Sequence, residues 1–477
     1  MKKIILLLAG IMAGMTSMAE VSALPLFARQ TGMACSACHF QHFPILTGFG
    51  RAFKSAGYTM IASQGKVEGE GLSIPSSLNM SALTTAGYEK TNQAASKTVV
   101  SSTGDGAFYV PGNGGELDLF IGGRVSANTG FLAEVGTGGS VSGTAVSGRR
   151  SSAKLPVLFE VDSSLFKLAE GTRVGFVPFS TDDEGASYGF ELLNTGANAV
   201  QQMSLTSGLN EAHSVALSAQ QYIGTAGAAT GVAFVANNPV GFINLTKYDQ
   251  TGISHAALAV LGSTYVRVAG MFDLAGWDTG VGLQNWSGSS VSATGTPAVP
   301  AVPGNYSCSG TSCAVTFPVP EIPATYGTVA SKATAIDGQM QGTLGSMPVG
   351  FYFSYARAPA GNSNSYNFDP AAAVPGSAVT QAYGTATKSS FNFSFEVGVV
   401  PEKITLGAAY RAGRSGVAVG SFTNASDNAI MFIATYKLAQ NMMVSFTQTT
   451  SSGQYWDAAH QDALGSSTTT INLSTLF

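Results

Sequence analysis

Phe391-Asn-Phe-Ser-Phe-Glu-Val-Gly-Val399 is the stretch on which the fold turns. Every second residue is apolar, so in an extended chain Phe391, Phe393, Phe395, Val397 and Val399 share one face while Asn392, Ser394 and Glu396 share the other. Comparable alternation runs from Leu117 to Val125, Phe131 to Val135, Val157 to Val161, Val349 to Tyr355, Ile404 to Tyr410 and Ile430 to Tyr436. Charges fall on the complementary face. Asp118, Arg124, Glu134, Glu160, Arg267, Glu396 and Arg411 are therefore all predicted to point away from the apolar side.

Composition says what lies on that apolar side. Charged residues make up 10% of the 477, with 58 glycines, and mean hydropathy is +0.19; ordinary soluble domains carry about a quarter charged residues. A soluble β-sandwich also alternates, but it wets its charges on an outer face and has more of them. After the N-terminus no run approaches the roughly 18 apolar residues a membrane helix needs. The expected fold is all-β, a transmembrane antiparallel barrel of about 16 strands, with 16 to 18 as the range. The stretch Ser180 to Leu209 leaves that count open.

The chain ends agree with export. Lys2 and Lys3 precede an apolar run from Ile4 to Met18, and small-x-Ala sites end at Ala19 and Ala23; residues 1–23 are expected to be a secretory signal peptide. The last residues, Thr469 to Phe477, put Ile471, Leu473, Thr475 and Phe477 on one face and close on an aromatic. That resembles the terminal strand of bacterial outer-membrane proteins, which implies an outer-membrane location. The net charge of −4 offers no basic field for nucleic acid.

A different chemistry stands near the N-terminus. Residues 35–39 read Cys-Ser-Ala-Cys-His, in a chain with only four cysteines and five histidines. Two cysteines at this spacing can form thioethers to the two vinyl groups on one haem edge, and the following histidine then ligates the iron. Cys35 and Cys38 are the expected attachment points of one covalently bound haem c, with His39 as proximal ligand. A zinc site needs further ligands close by, and none clusters there.

Three regions follow the signal peptide. Residues 24–75 carry the haem motif and a predicted helix from Pro44 to Gly57, with Ile45, Phe49, Ala52, Phe53 and Ala56 as its apolar stripe. About fifty residues bury a haem poorly unaided, so this segment is expected to sit in the lumen as a small α-helical plug. Residues 76–477 are the expected barrel, with short periplasmic turns such as Ser126–Asn128, Pro401–Glu402 and Ala439–Gln440 and longer external loops. The longest loop is placed at about residues 273–333 and contains a Pro-rich run, Thr296 to Pro303, before Cys308 and Cys313. Two cysteines so close in an exported chain are expected to form a disulfide.

The segment Leu24 to Tyr58, with its Gly-Met-Ala-Cys-Ser-Ala-Cys-His-Phe-Gln-His-Phe-Pro core and Phe49-Gly-Arg-Ala-Phe-Lys-Ser-Ala-Gly-Tyr58, resembles the N-terminus of the fused monohaem cytochrome-porins of iron-oxidising bacteria. Pro178-Phe-Ser-Thr-Asp182 and Ser187-Tyr-Gly-Phe-Glu-Leu-Leu-Asn-Thr-Gly196 are also similar to that family. The resemblance implies an electron-transfer protein of the outer membrane that takes electrons from extracellular Fe(II) and hands them to a periplasmic cytochrome c or other electron carrier. The motif leaves the sixth iron ligand open. Met33, Met60, Met431 and Met443 are candidates, since methionine raises the potential of a haem. His42 lies too close to His39 to reach the opposite haem face and is expected to contact the haem's surroundings or propionates. His213, His255 and His460 are placed on loops or rims. Asp182, Asp183 and Glu184 would collect cations if their loop faced outward. The competing readings are a diffusion porin with a structural haem and a cytochrome-porin for another extracellular donor.

Overall fold

The computed structural model describes residues 26–477 except 71, 93–105, 137–149, 163, 165–168, 183, 196–217, 251–259, 293–304, 310–311, 317–326, 362, 368–382 and 457–465. The signal-peptide expectation, the Pro-rich run, Asp183, His213, His255 and His460 lie outside the described residues.

The strands close on themselves into one antiparallel barrel. Its wall begins with β1 (Asn79–Thr91), β2 (Leu117–Arg124), β3 (Gly130–Gly136), β4 (Arg150–Lys154, resuming as Val157–Glu160), β5 (Arg173–Thr181), β6 (Ala229–Asn238), β7 (Gly241–Asp249) and β8 (Ser263–Leu274). It continues with β9 (Trp277–Ser292), β10 (Ala333–Leu344), β11 (Met347–Ala358), β12 (Lys388–Val400), β13 (Ile404–Arg414), β14 (Ser426–Ala439), β15 (Met442–Ser452) and β16 (Ser467–Leu476). The described wall thus has 16 strands. β16 pairs with β1 from Thr468↔Thr91 to Leu476↔Leu83 and removes the free edge. Pro156 interrupts β4, as a residue without an N–H must.

Alternation sorts the side chains as the sequence requires. In β12, Phe391, Phe393 and Phe395 are 43%, 38% and 38% exposed, whereas Asn392, Ser394 and Glu396 are fully buried. Tyr410, Phe432, Phe446 and Ile471 continue the exposed apolar belt, and Arg267, Asp337 and Arg411 are enclosed. An apolar outer belt around a polar interior is stable in lipid, and a closed barrel satisfies every backbone group within the wall. The protein is therefore an outer-membrane β-barrel. Among the described residues no helix is long and apolar enough to cross a membrane. One inward expectation fails: Glu160 is exposed, because β4 ends there and the side chain reaches the rim, pairing with Arg173 at 3.3 Å.

The predicted loop over 273–333 is corrected at its start. Residues 263–292 are two paired strands, in register from Ser263↔Gly288 to Leu274↔Trp277, joined by the turn Ala275–Gly276 with both residues at positive φ. In the second of these strands Gly280 and Gly282 take inward positions between Asp278 and Gln284, which breaks the hydropathy pattern. Within the remaining loop, Asn305–Ser309 and Ser312–Thr316 form a hairpin that sets Cys308 opposite Cys313 in register; their side chains lie outside the described residues.

Part of the chain between wall strands enters the lumen. Residues 184–195, after β5, fold inward, with a 3-10 turn at Gly185–Gly189, and Tyr188, Phe190, Leu192 and Leu193 are buried. Of the stretch Ser180 to Leu209 that left the strand count open, the part from 184 to 195 forms no wall strand, and 196–209 lie outside the described residues. The outward acidic cluster is also corrected, since Asp182 accepts a hydrogen bond from Ser152 at 3.0 Å and Glu184 lines an interior cavity. Arg267 of β8 fixes the loop to the wall: Nε meets Glu191 at 2.5 Å, and Nη1 and Nη2 donate to Asp337 at 2.6 and 2.9 Å. Opposite, Arg411 pairs with Asp427 at 2.7 Å and covers the Tyr222 ring, 4.7 Å from its centroid.

Candidate functional site

The N-terminal segment is the plug, made of α1 (Leu26–Thr31), α2 (Cys35–Cys38) and α3 (Gly48–Ser55). α2 is a single turn, closed by the His39 N–H donating to the Cys35 carbonyl at 2.8 Å. His39 then bridges to Leu46, and Phe40 N–H donates to Ile45 at 2.8 Å, so residues 39–46 double back. This is why the predicted helix from Pro44 starts only at Gly48. Thr47 caps it, accepting from the Gly50 N–H at 3.1 Å, and its own N–H donates to the Cys38 carbonyl at 2.9 Å. Gly50 allows α3 to lie on α2: a Cβ there would sit 2.2 Å from the Cys38 oxygen. Of the predicted stripe, Ile45 and Phe53 are buried, whereas Ala52 is exposed.

Polar contacts tie the plug to the wall at several points. His42 Nε2 meets Glu396 of β12 at 2.7 Å, and Tyr352 donates to the other oxygen of the same carboxylate at 3.1 Å. Arg51 pairs with Asp278 and reaches Gln341 at 3.3 Å. The Cys35 N–H donates to Gln440, in the β14–β15 turn, at 3.1 Å. His42 is thus a plug-to-wall contact, fixed by a buried carboxylate 354 residues away in sequence.

A cavity of about 340 Å³ opens beside the motif. Cys35, Cys38, His39 and Met33 border it from the plug, together with an aromatic cluster in which Phe27 stacks on Tyr58 at 4.9 Å between ring centroids. The wall contributes Phe120, Leu132, Lys154 and Leu476, and the inward loop contributes Tyr188, Leu193 and Asn194. Asn194 also locks loop to plug, accepting from the Leu46 N–H at 2.7 Å and donating to its carbonyl at 2.9 Å. The sequence reading anticipated wall and plug but missed the loop, whose Glu-Leu-Leu-Asn has no diagnostic period.

These residues fit a covalently held haem. Cys35 and Cys38 are unbridged thiols. Burial pushes the His39 imidazole down to about 4, so at neutral pH it is the uncharged form that binds metals. Its Nδ1 is enclosed without a hydrogen-bond partner. Of the four methionine candidates only Met33 borders the cavity. Met60 is exposed at 36%, Met443 is buried away from the cavity, and Met431 packs in the lumen with Ala409, Ala429 and Ile433.

Fold and site together define an outer-membrane β-barrel with a lumenal plug that bears a C-x-x-C-H motif on an apolar cavity. A scan against protein-family models and a search of curated proteins both find no match. Among solved structures the chain is similar to OmpT, an outer-membrane protein of Vibrio cholerae, at 9% identity and TM-score 0.43 over 87% of this chain and 100% of that one. It is similar also to Salmonella typhi OmpF in complex with daunomycin (10%, TM-score 0.48, 87% and 100%) and to the outer-membrane channel DcaP of Acinetobacter baumannii (10%, TM-score 0.46, 87% and 100%). The architecture itself rests on the strand pairing described above.

Proposed function

We propose that this chain is an outer-membrane c-type cytochrome that carries electrons from an extracellular donor, Fe(II), to a periplasmic carrier. The observation that carries the reading is the cavity that plug, wall and inward loop build together against Cys35, Cys38 and His39. When bound, haem c supplies a one-electron iron centre. The chain's own residues do the rest. Cys35 and Cys38 anchor the group, and neutral His39 presents a nitrogen to its iron. Phe53, Leu132 and Leu193 exclude water, which sharpens every electrostatic effect on the centre. The wall insulates this path from lipid, while plug and loop obstruct bulk passage.

Two measurements test it. Alkaline pyridine spectroscopy of the purified protein reads covalent haem directly, and the Cys35→Ala/Cys38→Ala variant is expected to lose it. Stopped-flow mixing of the oxidised protein with Fe(II) is expected to give the reduced haem c bands; reduction by dithionite but not by Fe(II) removes iron as donor and leaves the alternative of a different extracellular donor. The second reading, a diffusion porin with a structural haem, draws on the loop folded into the lumen, since such a loop also sets the bore of a size-selective pore. High ion conductance of single barrels in planar bilayers would favour it.

A further inference from the structure

The short turns, the end of β16 and the plug share one rim, the periplasmic one by the asymmetry of loop lengths. Its charges are segregated. Beside Cys35 stands Lys437, near the end of β14; its N–H donates to the carbonyl of Lys403, in the β12–β13 turn, at 2.9 Å, and the exposed Lys403 carries its amino group 6.0 Å over the Tyr436 ring. Lys437 lies close enough for its charge to act on the Cys35 thiol. On the other side of the motif Arg29 of α1 is exposed and donates to the Met80 carbonyl at the start of β1. Glu402 is the acidic group within this arc. Among the described residues around the rest of the rim, Lys66 and Arg173 are paired with Glu68 and Glu160, which leaves Glu70, Asp162, Glu170 and Asp273 as the exposed excess charge.

A chain with net charge −4 thus gathers basic groups where the half-buried Cys35 and Cys38 come nearest to the periplasm. Fields of this kind steer an oppositely charged partner and set its orientation more than they set final affinity. We propose that the arc of Arg29, Lys403 and Lys437 is the docking face for a small redox protein with an acidic surface, the carrier that removes the electron on the periplasmic side. The exchange moves one electron: the haem iron goes from ferrous to ferric and the partner's oxidised metal centre gains that electron, with no bond made or broken. The inference rests on the reading that Cys35 and Cys38 hold a haem.

The test uses the full-length protein in detergent micelles and a fluorescein-labelled oligoglutamate peptide as probe, with binding read by anisotropy. Binding is expected to weaken steeply with salt and to fall by about tenfold or more in Lys403→Glu/Lys437→Glu. Glu70→Lys/Glu170→Lys, on the opposite arc, is expected to retain the binding at Lys403 and Lys437. Oxidation of the pre-reduced protein by ferricyanide, an anionic acceptor, is expected to slow in the first variant alone. Retained heat-modifiable gel migration and haem absorption establish that each variant is folded. Equal peptide affinity in wild type and Lys403→Glu/Lys437→Glu, with haem in place, overturns the docking face and leaves the cytochrome reading standing. Absence of covalent haem overturns both.

Discussion

Replacing Arg267 by Leu tests whether the inward loop is latched or merely packed. Arg267 and Asp337 have no exposed side-chain surface, and Glu191 is 11% exposed. Deleting the guanidinium strands two carboxylates whose remaining support is partial: Gln284 still donates to Asp337 at 2.7 Å, Thr195 still donates to it, and the Leu193 N–H donates to Glu191 at 2.8 Å. Removing one partner of a buried ion pair costs about 3–5 kcal/mol, and these hydrogen bonds place the expected loss near the lower end, about 3 kcal/mol. Urea unfolding of the detergent-folded barrel, followed by tryptophan fluorescence, measures it. Single-channel conductance is expected to rise as well, because the Arg267–Glu191 pair, with the Lys154 contact to the Tyr188 carbonyl, holds the loop to the wall by charge. Arg267→Met combined with Glu191→Gln and Asp337→Leu removes the stranded charges and is expected to recover most of the stability, but not the seal. A loss below about 1 kcal/mol with unchanged conductance would refute the latch.

Three further outcomes follow from the same geometry. Phe393→Lys puts a charge in the lipid belt and is expected to cost about 2–4 kcal/mol in unfolding from liposomes, whereas Ser394→Ala, facing the lumen, is expected to cost far less. His42 is buried, which opposes its charge, yet the Glu396 carboxylate outweighs this and holds the imidazole above its ordinary 6.5. Its stabilising share is then complete below that value and is lost as pH rises through the higher folded value; in His42→Gln, plug-to-wall protection measured by hydrogen exchange should lose that pH dependence. Met33→Leu is expected to change the haem's visible spectrum and potential while Met431→Leu and Met443→Leu leave both unaltered, and a spectrum indifferent to all three removes methionine from the iron.

The strongly periodic strands were legible because a barrel repeats one rule, apolar outward and polar inward, and nothing about that rule depends on distant residues. β12 and β13 are plain in sequence for this reason. β9 was not, because Gly280, Gly282 and Gly288 face neighbours at close range and contribute no hydropathy signal. The motif at Cys35 to His39 was legible since its chemistry is local. His42 was not: its role depends on Glu396, and only barrel closure brings the two within 2.7 Å.

By itself the sequence determined the barrel class, the inward placement of Asp118, Arg267, Glu396 and Arg411, the plug with its three chemically marked residues, and the position of the short turns. Tertiary structure alone decided that residues 184–195 enter the lumen, that Arg267 clasps Glu191 and Asp337, and that Met33 rather than Met431 borders the cavity. The division has one physical origin. Local periodicity and covalent spacing are written along the chain, whereas burial of a loop or a charge depends on which strands the closed wall sets opposite it.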